Sequence, residues 1–320
     1  MSKLFRSSSE EEAFNEMFGL TQISQVEHPI SSSSPPSSSS PLLTCTFSSL
    51  PSLTSQFLAQ GVLHLPPSIV RFSPSILSKA TAQLIHAPHL YPLCTSTYET
   101  INDAPHLTRL ENFVTSHPQF NEICTTLIPL ILSKLLGNPW FLYKEKLNFK
   151  PPSGKGFAPH LDSPSLRSVA SNPSDPSTFI TVCLPIDKMT KHNGSLEVIK
   201  GLHTDKNHYP LIPPSDDNPD GGGRAGEIDI NQSIAEKRDL TWELLECNSG
   251  EIIIFNGFVP HRSGTNFSAF DRRAIFLTYN PAEEGDFRSE YYRRMDDVRE
   301  KWKTKKARLS EDLWLASVPK

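Results

Sequence analysis

The amino-acid sequence predicts a mainly β domain with flanking helices, in which the strands form an antiparallel sandwich or barrel. Two observations lead to this class. From Trp140 onward the chain contains short segments rich in β-branched and aromatic residues, separated by Gly, Pro, Asn and Ser turns. No helical pattern lies between these segments, and strands that follow one another without helices pair antiparallel. Before Trp140, apolar residues recur instead at the spacing of helices.

We divide the 320 residues into a tail and a single domain. The stretch SSSSPPSSSSP at 31–41 cannot bury enough apolar surface to offset the entropy of the chain, so we expect a disordered Ser/Pro-rich tail. The predicted parts are the tail at 1–45 and one domain at 46–320, which comprises a mainly helical part at 46–139, a β core at 140–285 and a charged C-terminal helix at 286–320.

The mainly helical part is predicted from four consecutive segments. A first helix leads into a strand in FLAQGVLHL, and a Ser N-cap precedes helical apolar spacing in SPSILSKATAQLI. The helical pattern continues in LTRLENFVTSH and in NEICTTLIPLILSKLLGNP, where Gly137 with the following Asn and Pro ends the last helix.

Five strands of the β core are predicted in WFLYKEKLNFK, FITVCLPID, GSLEVIKG, GEIIIFNGF and RRAIFLTYN. Two long irregular stretches interrupt them, at 163–178 and 203–240. Stretches of this length in a compact domain are usually lids, binding loops or disordered segments. We expect these two to act as lids that select the substrate.

Composition and charge exclude several classes of protein. The formal net charge is -4 and the pI is about 6.3, so we expect neither a nucleic-acid partner nor an anionic membrane partner. No run approaches the ~18 apolar residues of a membrane span, and MSKLFRSSSEEEAF turns acidic where a secretory signal would be apolar. The five cysteines are scattered without a CxxC pair, which favours a reducing compartment over a disulfide framework or a zinc ribbon. We therefore expect a cytoplasmic protein.

The most informative phrase is GFAPHLDSPS, in which His160 and Asp162 are two residues apart. In a strand or at a strand end, this spacing places both side chains on the same face. A third ligand is available from His261, which directly follows an apolar strand in GEIIIFNGFVPHRSGTN. Two histidines and one carboxylate leave three adjacent positions open on an octahedral iron(II), which suits a bidentate 2-oxo acid and dioxygen. An HxD sequence alone is a weak motif, and a closed zinc site is the alternative, although such a site normally uses further Cys or His ligands.

Arg272 opens the apolar strand RRAIFLTYN, shortly after His261. A buried guanidinium at this place needs an anion, and its planar fork matches a carboxylate in two hydrogen bonds. We expect this anion to be the distal carboxylate of 2-oxoglutarate, with a further hydrogen bond donated by Ser263. The alternative is a surface arginine paired with Asp271 or Glu284.

Several longer segments resemble the phytanoyl-CoA dioxygenase family of iron(II)- and 2-oxoglutarate-dependent oxygenases. They stand in the family's order: KEKLNFKPPSGKGFAPHLD, ITVCLPIDKMTKHNGSLEVIKGLH and SGEIIIFNGFVPHRSGTNFSAFDRRAIFLTYN. The resemblance extends from about Phe57 to the charged C-terminal segment. It implies that 46–320 is a catalytic domain with a double-stranded β-helix (jelly-roll) core and helices packed outside.

The resemblance also implies the roles of individual residues. The iron(II) ligands are implied at His160, Asp162 and His261. Contacts with the co-substrate 2-oxoglutarate are implied at Arg272, Ser263, Lys146 and, by position, Cys183. Because Asp162 is present rather than Gly or Ala, the chain resembles hydroxylases, which use dioxygen and release succinate and CO2.

Three departures from the family pattern leave the metal ligands intact. Leu161 stands where relatives often have Gln, and GLH replaces GSH at 201–203. Gly250-Glu251 replaces Gly-Asp before the strand IIIFN.

The substrate is predicted to be small and anionic. The segments KEKLNFKPP, FAPHLD, PHRSGTN and YNPAEEGDFRSEYY resemble the 2-aminoethylphosphonate hydroxylases, which makes an organophosphonate the first candidate. In WFLYKEKLNFK, strand alternation places four polar side chains on one face, namely Lys144, Lys146, Asn148 and Lys150. If this face looks into the barrel it suits an anionic substrate, with Lys144 and Asn148 as the predicted contacts. If it faces water, it is an ordinary charged surface.

Three other functions remain open on the sequence. The first is hydroxylation of an acyl-CoA by an enzyme of the same family. The second is a non-enzymatic jelly-roll binding protein with a vestigial metal site. The third is a zinc or nickel isomerase or hydrolase of the cupin type, which would not depend on 2-oxoglutarate.

Overall fold

The computed structural model describes residues 43–45, 50–67, 69–166, 179–213 and 226–300. Most of the predicted tail lies outside the described residues, and so do residues 167–178 and 214–225 of the two predicted lids and the end of the C-terminal segment. The described end of the tail forms a short strand, Leu43–Cys45, so the domain's regular structure begins before residue 46.

Strands provide most of the regular structure. They are β1 (Leu43–Cys45), β2 (Val62–Leu65), β3 (Val70–Phe72), β4 (Thr95–Ile101), β5 (Ala104–Glu111), β6 (Trp140–Lys150), β7 (Phe157–His160), β8 (Ile180–Pro185), β9 (Leu196–Val198), β10 (Glu243–Leu245), β11 (Ile252–Asn256), β12 (His261–Ser263) and β13 (Arg272–Pro281). The α-helices are α1 (Leu50–Gln60), α2 (Pro74–His86), α3 (Pro118–Glu122), α4 (Ile128–Leu136), α5 (Asp162–Leu166), α6 (Ile230–Ala235) and α7 (288–300). A π-helical segment, Ile123–Leu127, joins α3 to α4.

Two antiparallel sheets face each other. The larger one has the strand order β2-β11-β8-β13-β6-β5-β4, and the smaller one has the order β10-β9-β12-β7. All five strands predicted in the β core are present, and all pair antiparallel. The predicted mainly β class with flanking helices is therefore confirmed. No helix among the described residues has the length and apolar content that crossing a membrane requires.

Each face of the larger sheet is covered by a different apolar cluster. Between the sheets, Ile253 and Phe255 of β11 pack with Leu196 and Val198 of β9. The alternate residues of β11 join a cluster on the outer face, to which the helices contribute Phe57, Leu77 and Leu132. Burying a side chain of this size contributes ~1.5–3 kcal/mol. The helices thus stabilise the sheet from outside, and only part of its inner face is apolar, which leaves room there for polar side chains.

One predicted helix is wrong. The segment LTRLENFVTSH forms the end of β5 and a 3-10 turn, and β5 pairs with β4 on one side and β6 on the other. The two residues between β4 and β5, Asn102 and Asp103, have φ angles of 50° and 60°. Positive φ at both central residues is typical of the two-residue hairpin turn whose twist matches that of the strands. Apart from Gly, Asn and Asp are the residues that adopt positive φ most readily. This hairpin extends the larger sheet beyond β6.

Within the predicted charged C-terminal segment, residues 288–300 form a helix, and one of its faces is buried. Tyr291 and Tyr292 pack there against Tyr143 and Phe179. Beside them Glu145 of β6 is 0% exposed. Its carboxylate accepts hydrogen bonds from Arg288 Nη2 at 2.5 Å and Nε at 3.2 Å, from Tyr292 Oη at 3.0 Å and from Val114 N at 3.0 Å. A buried carboxylate is stable only when charge and hydrogen bonds compensate its lost hydration, so this network fixes α7 on the sheet.

We expect Arg288→Met to lower the free energy of unfolding by ~3–5 kcal/mol, because it leaves the buried Glu145 charge without its cation. The measurement is equilibrium unfolding in urea. Arg293→Met is the matched control on the same helix, since Arg293 and its partner Glu290 are exposed and their ion pair should contribute little. Equal effects of the two substitutions would contradict this account of α7.

Candidate active site

The three predicted metal ligands lie close together beside the paired strands β7 and β12 of the smaller sheet. His160 ends β7, Asp162 begins α5, and His261 begins β12. Strands β7 and β12 are paired with His261 directly opposite His160, which places the two rings with centroids 4.1 Å apart. The Oδ1 atom of Asp162 lies 4.0 Å from His160 Nε2 and 3.8 Å from His261 Nε2. Sequence alternation predicted the side on which His160 and Asp162 project, although Asp162 lies in a short helix rather than in the strand.

Local hydrogen bonds fix which atoms face the centre of this group. The Nδ1 atoms of His160 and His261 lie 2.7 and 3.0 Å from the carbonyl oxygens of Ala158 and Val259. A carbonyl only accepts, so each Nδ1 donates and each Nε2 keeps its lone pair for a metal. Thr181 Oγ1 of β8 donates to Asp162 Oδ2 at 2.6 Å, which orients the carboxylate.

Electrostatics keep the group in the protonation state that a metal needs. Burial, reinforced by the charge of His261, lowers the pKa of His160 to about 3. Burial alone would raise the pKa of Asp162, but nearby His261 and Lys144 outweigh it and hold the pKa below its usual range. At neutral pH the imidazole of His160 is therefore neutral and the carboxylate is ionised.

The ligand atoms all lie within 4.8 Å of one another. Among the described residues no fourth His, Cys or carboxylate joins this group, which disfavours a closed zinc site. Two imidazoles and one carboxylate with open adjacent positions suit iron(II).

Arg272 is buried at the inner end of the same cavity, with 3% of its surface exposed. Its Nη2 donates to the Gly194 carbonyl at 3.1 Å, while its Nε and Nη1 have no hydrogen-bond partner within the described part of the chain. No ion pair joins it to Asp271 or Glu284 there. A buried guanidinium with unused donors at Nε and Nη1 needs an anionic partner, such as the distal carboxylate of 2-oxoglutarate.

Lys150 is a second basic residue near this end of the cavity. Strand alternation predicted the face on which it lies, but no role was predicted for it. It lies directly opposite Arg272 in the β6–β13 ladder. Its Nζ donates to Ser263 Oγ at 2.9 Å and to the Gly264 carbonyl at 2.7 Å. Burial, with the charge of Arg272 as second cause, lowers the pKa of Lys150 to about 7. Because Ser263 Oγ accepts from Lys150 and from Phe157 N (3.2 Å), its own proton is free to donate to an anion beside Arg272.

The lysine-bearing face of β6 looks into the cavity, so the alternative of a solvated surface is wrong. Lys144, Lys146 and Asn148 all line the cavity together with the metal triad. The cavity also contains Arg109 of β5, whose Nε donates to Asn148 Oδ1 at 3.2 Å. Sequence reasoning missed Arg109 because its strand was predicted as a helix.

Cys183 does not line this cavity. It is buried in the cluster between the sheets, where it lies opposite Phe276 in the β8–β13 ladder. Thr181 and Thr278, two residues without a sequence-derived role, are part of the cavity wall instead.

The surroundings of Lys144 and Lys146 in the cavity disfavour the charged form of both side chains. Lys144 is 8% exposed, and burial lowers its pKa. The pKa of Lys146 is held well below its usual range by the charge of Lys144 and then by burial. Within the described residues neither ammonium forms a salt bridge with a carboxylate. Two neighbouring ammonium groups that form no salt bridge with a carboxylate favour the binding of an anion.

Comparisons with known proteins agree with this geometry. The family model described as phytanoyl-CoA dioxygenase (PhyH) matches residues 82–274. The chain is 34% identical over 208 residues to the 2-aminoethylphosphonate dioxygenase of uncultured bacterium HF130_AEPn_1, covering 64% of this chain and 70% of that protein. It is 32% identical over 189 residues to the methylphosphonate hydroxylase of Gimesia maris, covering 58% of this chain and 62% of that protein.

A solved structure carries the same fold. EctD from S. alaskensis, crystallised with 2-oxoglutarate and 5-hydroxyectoine, superposes with a TM-score of 0.55 at 20% identity, covering 72% of this chain and 76% of EctD. At this level of identity the likeness concerns the fold, and it confirms the jelly-roll core.

We expect the anaerobic protein to bind one Fe(II) per chain and to develop the visible charge-transfer absorption of an iron–2-oxoglutarate chelate. His160→Ala and Asp162→Ala should each abolish this absorption and turnover, because each removes one of three protein ligands. His192→Ala, which alters an exposed histidine outside the group, is the control and should change neither. Unchanged turnover in either ligand variant would refute the triad.

We expect Arg272→Leu to weaken 2-oxoglutarate binding more than tenfold, since losing one partner of a buried charge pair costs ~2–5 kcal/mol. Titrating 2-oxoglutarate into the iron-loaded protein measures the effect. Arg273→Leu is the matched control, because Arg273 lies on the opposite face and pairs with Asp187 at 2.8 Å. If Arg273 proves to be the sensitive position, the proposed site of the distal carboxylate is wrong.

Proposed function

Because this chain belongs to the phytanoyl-CoA dioxygenase family, it is an iron(II)- and 2-oxoglutarate-dependent oxygenase, and we propose that it hydroxylates a small organophosphonate. The observation that carries this substrate class is the cationic face of β6 beside the metal triad. Relatives named for 2-aminoethylphosphonate and methylphosphonate support it.

The residues of the inner cavity are proposed to hold the metal and the co-substrate. His160, Asp162 and His261 bind iron(II), and Arg272 with Ser263 binds the distal carboxylate of 2-oxoglutarate. Lys146 is proposed as a further co-substrate contact, at the boundary between the co-substrate and the substrate. When bound, iron(II) and 2-oxoglutarate supply the oxidising chemistry that inserts one oxygen atom of dioxygen into a C–H bond, with release of succinate and CO2.

The protein's own contribution is to orient these groups and to exclude water. Thr181 fixes the Asp162 carboxylate, and backbone carbonyls fix the tautomers of the two histidines. Strand β6 forms one wall from the co-substrate end to the outer cavity. A substrate held along this wall would lie beside the three proposed metal ligands, which line the same cavity.

Some of the positively charged residues around the cavity have no assigned partner, and these are available to bind the substrate. Arg262 is neutralised by an ion pair with Glu197, and Arg272 is assigned to the co-substrate. The charge of a bound iron(II) would be balanced by Asp162 and by a carboxylate of 2-oxoglutarate. The remaining cations are Arg109, Lys144 and Lys146. A doubly charged phosphonate head would balance most of this charge, and burial makes such pairing favourable only with good hydrogen bonds.

An acyl-CoA is the second candidate of the same family. Its several phosphates would require a wide basic entrance beside the cavity. The described part of the second predicted lid is instead acidic, with Asp205, Glu227 and Asp229. This charge suits the amine of an aminoalkylphosphonate better than the phosphates of coenzyme A.

We expect succinate release to depend on an added phosphonate, with 2-aminoethylphosphonate and its N-trimethyl form tested beside methylphosphonate and acyl-CoAs. Lys144→Ala and Asn148→Ala should raise the KM for the phosphonate at least tenfold and leave 2-oxoglutarate binding unchanged, since both side chains are assigned to the substrate and neither to the co-substrate. Lys188→Ala removes an exposed lysine outside the cavity and serves as the control.

Stimulation by acyl-CoA alone would overturn the phosphonate assignment and leave the iron chemistry intact. Phosphonate turnover that is indifferent to both variants would instead show that the β6 face does not bind the substrate.

A further inference from the structure

A second group of metal-ligating side chains lies apart from the iron triad. His64 is on β2, while Cys247 and Glu251 flank the turn that precedes β11. Strand β2 pairs with β11, with His64 directly opposite Ile253, which brings the three side chains together. The ligand atoms of this group, like those of the triad, lie within 4.8 Å of one another.

Two of these groups approach the same nitrogen. His64 Nε2 lies 2.8 Å from Glu251 Oε2 and 3.4 Å from Cys247 Sγ. A single ring proton forms one good hydrogen bond, so it cannot serve both the carboxylate and the sulfur. A dication at the centre would bind all three atoms at once. With bonds of ~2.0–2.3 Å to tetrahedral zinc, ligand atoms lie ~3.3–3.6 Å apart. The His64–Cys247 distance of 3.4 Å already fits this range, and the His64–Glu251 distance of 2.8 Å would have to increase.

The positions of the ligands are fixed by the surrounding backbone. Cys247 exchanges two backbone hydrogen bonds with Met189, at 2.8 and 3.0 Å. Glu251 accepts from Asn248 N and from Asn248 Nδ2, both at 2.9 Å. Such supporting hydrogen bonds to a carboxylate are typical of the surroundings of metal ligands.

The group is accessible from solvent, and its ligand atoms are of the types that bind zinc. Cys247 and Glu251 are buried, but the His64 side chain is 36% exposed, so an ion and a water ligand can reach the group from solvent. A thiolate with an imidazole and a carboxylate favours zinc or cadmium over Mg²⁺ or Ca²⁺.

We propose that His64, Cys247 and Glu251 form a second metal site, which takes a zinc-class dication with water as the fourth ligand. The ion ties β2, at the edge of the larger sheet, to the start of β11. Its effect is on the stability of this edge, because a ligand that binds only the folded chain stabilises it. The iron triad does not require it for turnover.

The test uses Cd²⁺ as the probe, added anaerobically to the full-length protein whose iron site is already filled with Fe(II) and 2-oxoglutarate. We expect one further equivalent to bind, with the ultraviolet absorption of a thiolate-to-cadmium bond and a higher melting temperature. Cys247→Ser should abolish the absorption, and His64→Ala should weaken binding at least tenfold. Cys94→Ser, which alters a cysteine outside the group, should change neither.

The second site is refuted if Cd²⁺ gives no thiolate absorption in the native protein, or if the absorption survives in Cys247→Ser. His64→Ala keeps the test decisive should Cys247→Ser fail to fold, because His64 is exposed. His160→Ala should retain the cadmium–thiolate absorption, so failure of the iron site and failure of this site are distinguishable.

Discussion

The long antiparallel ladder between β6 and β13 determines how the chemistry of this protein is arranged. The two strands pair from Arg272 opposite Lys150 to Pro281 opposite Trp140. Because strand side chains alternate, this register turns Arg272 and the lysines of β6 towards the cavity and turns Ile275 and Leu277 towards the outer core. A slip of one residue would bury apolar groups in the site and expose cations to the helices. The residues proposed for the co-substrate and those proposed for the substrate therefore lie along one pair of strands, in an order that the pairing fixes.

This arrangement has an energetic consequence. Cations on the inner face of a sheet replace apolar contacts and lose hydration, so the site itself opposes folding. The compensation lies elsewhere: apolar side chains cover the outer face of the sheet, and the Glu145–Arg288 pair fixes α7 against β6. The same helix places the ring of Tyr291 under Lys144 Nζ, 5.8 Å from its centroid. The binding site thus depends on packing from the outer layer, and an anion entering the cavity relieves charge that the fold has already buried.

The sequence predicted the parts of the fold in which local pattern and final environment agree. Strands β6, β8, β11 and β13 alternate or are uniformly apolar, and the motif around His160 and Asp162 needs only short-range geometry. The β4–β5 hairpin was not predicted, because LTRLENF has helical spacing and becomes a strand only through its pairing with β6. The roles of Thr181 and Lys150 likewise arise from contacts between residues far apart in the chain. Such contacts leave no signal in a local window.

For the same reason, the local sequence pattern predicts the class of reaction but not the identity of the substrate. Of the proposed metal and co-substrate ligands, His160, His261 and Arg272 lie on core strands, and Asp162 follows the end of β7 by two residues. The jelly roll itself sets the spacing of these strands, so the sequence alone indicates the chemistry. Arg109 reaches the cavity from a hairpin added to the edge of the sheet, and it meets Asn148 only because β5 joins β6 in one register. A change in the length of that hairpin would move the guanidinium without touching the triad. Substrate choice in this fold can therefore change through the edge hairpin while the oxygenase core stays constant.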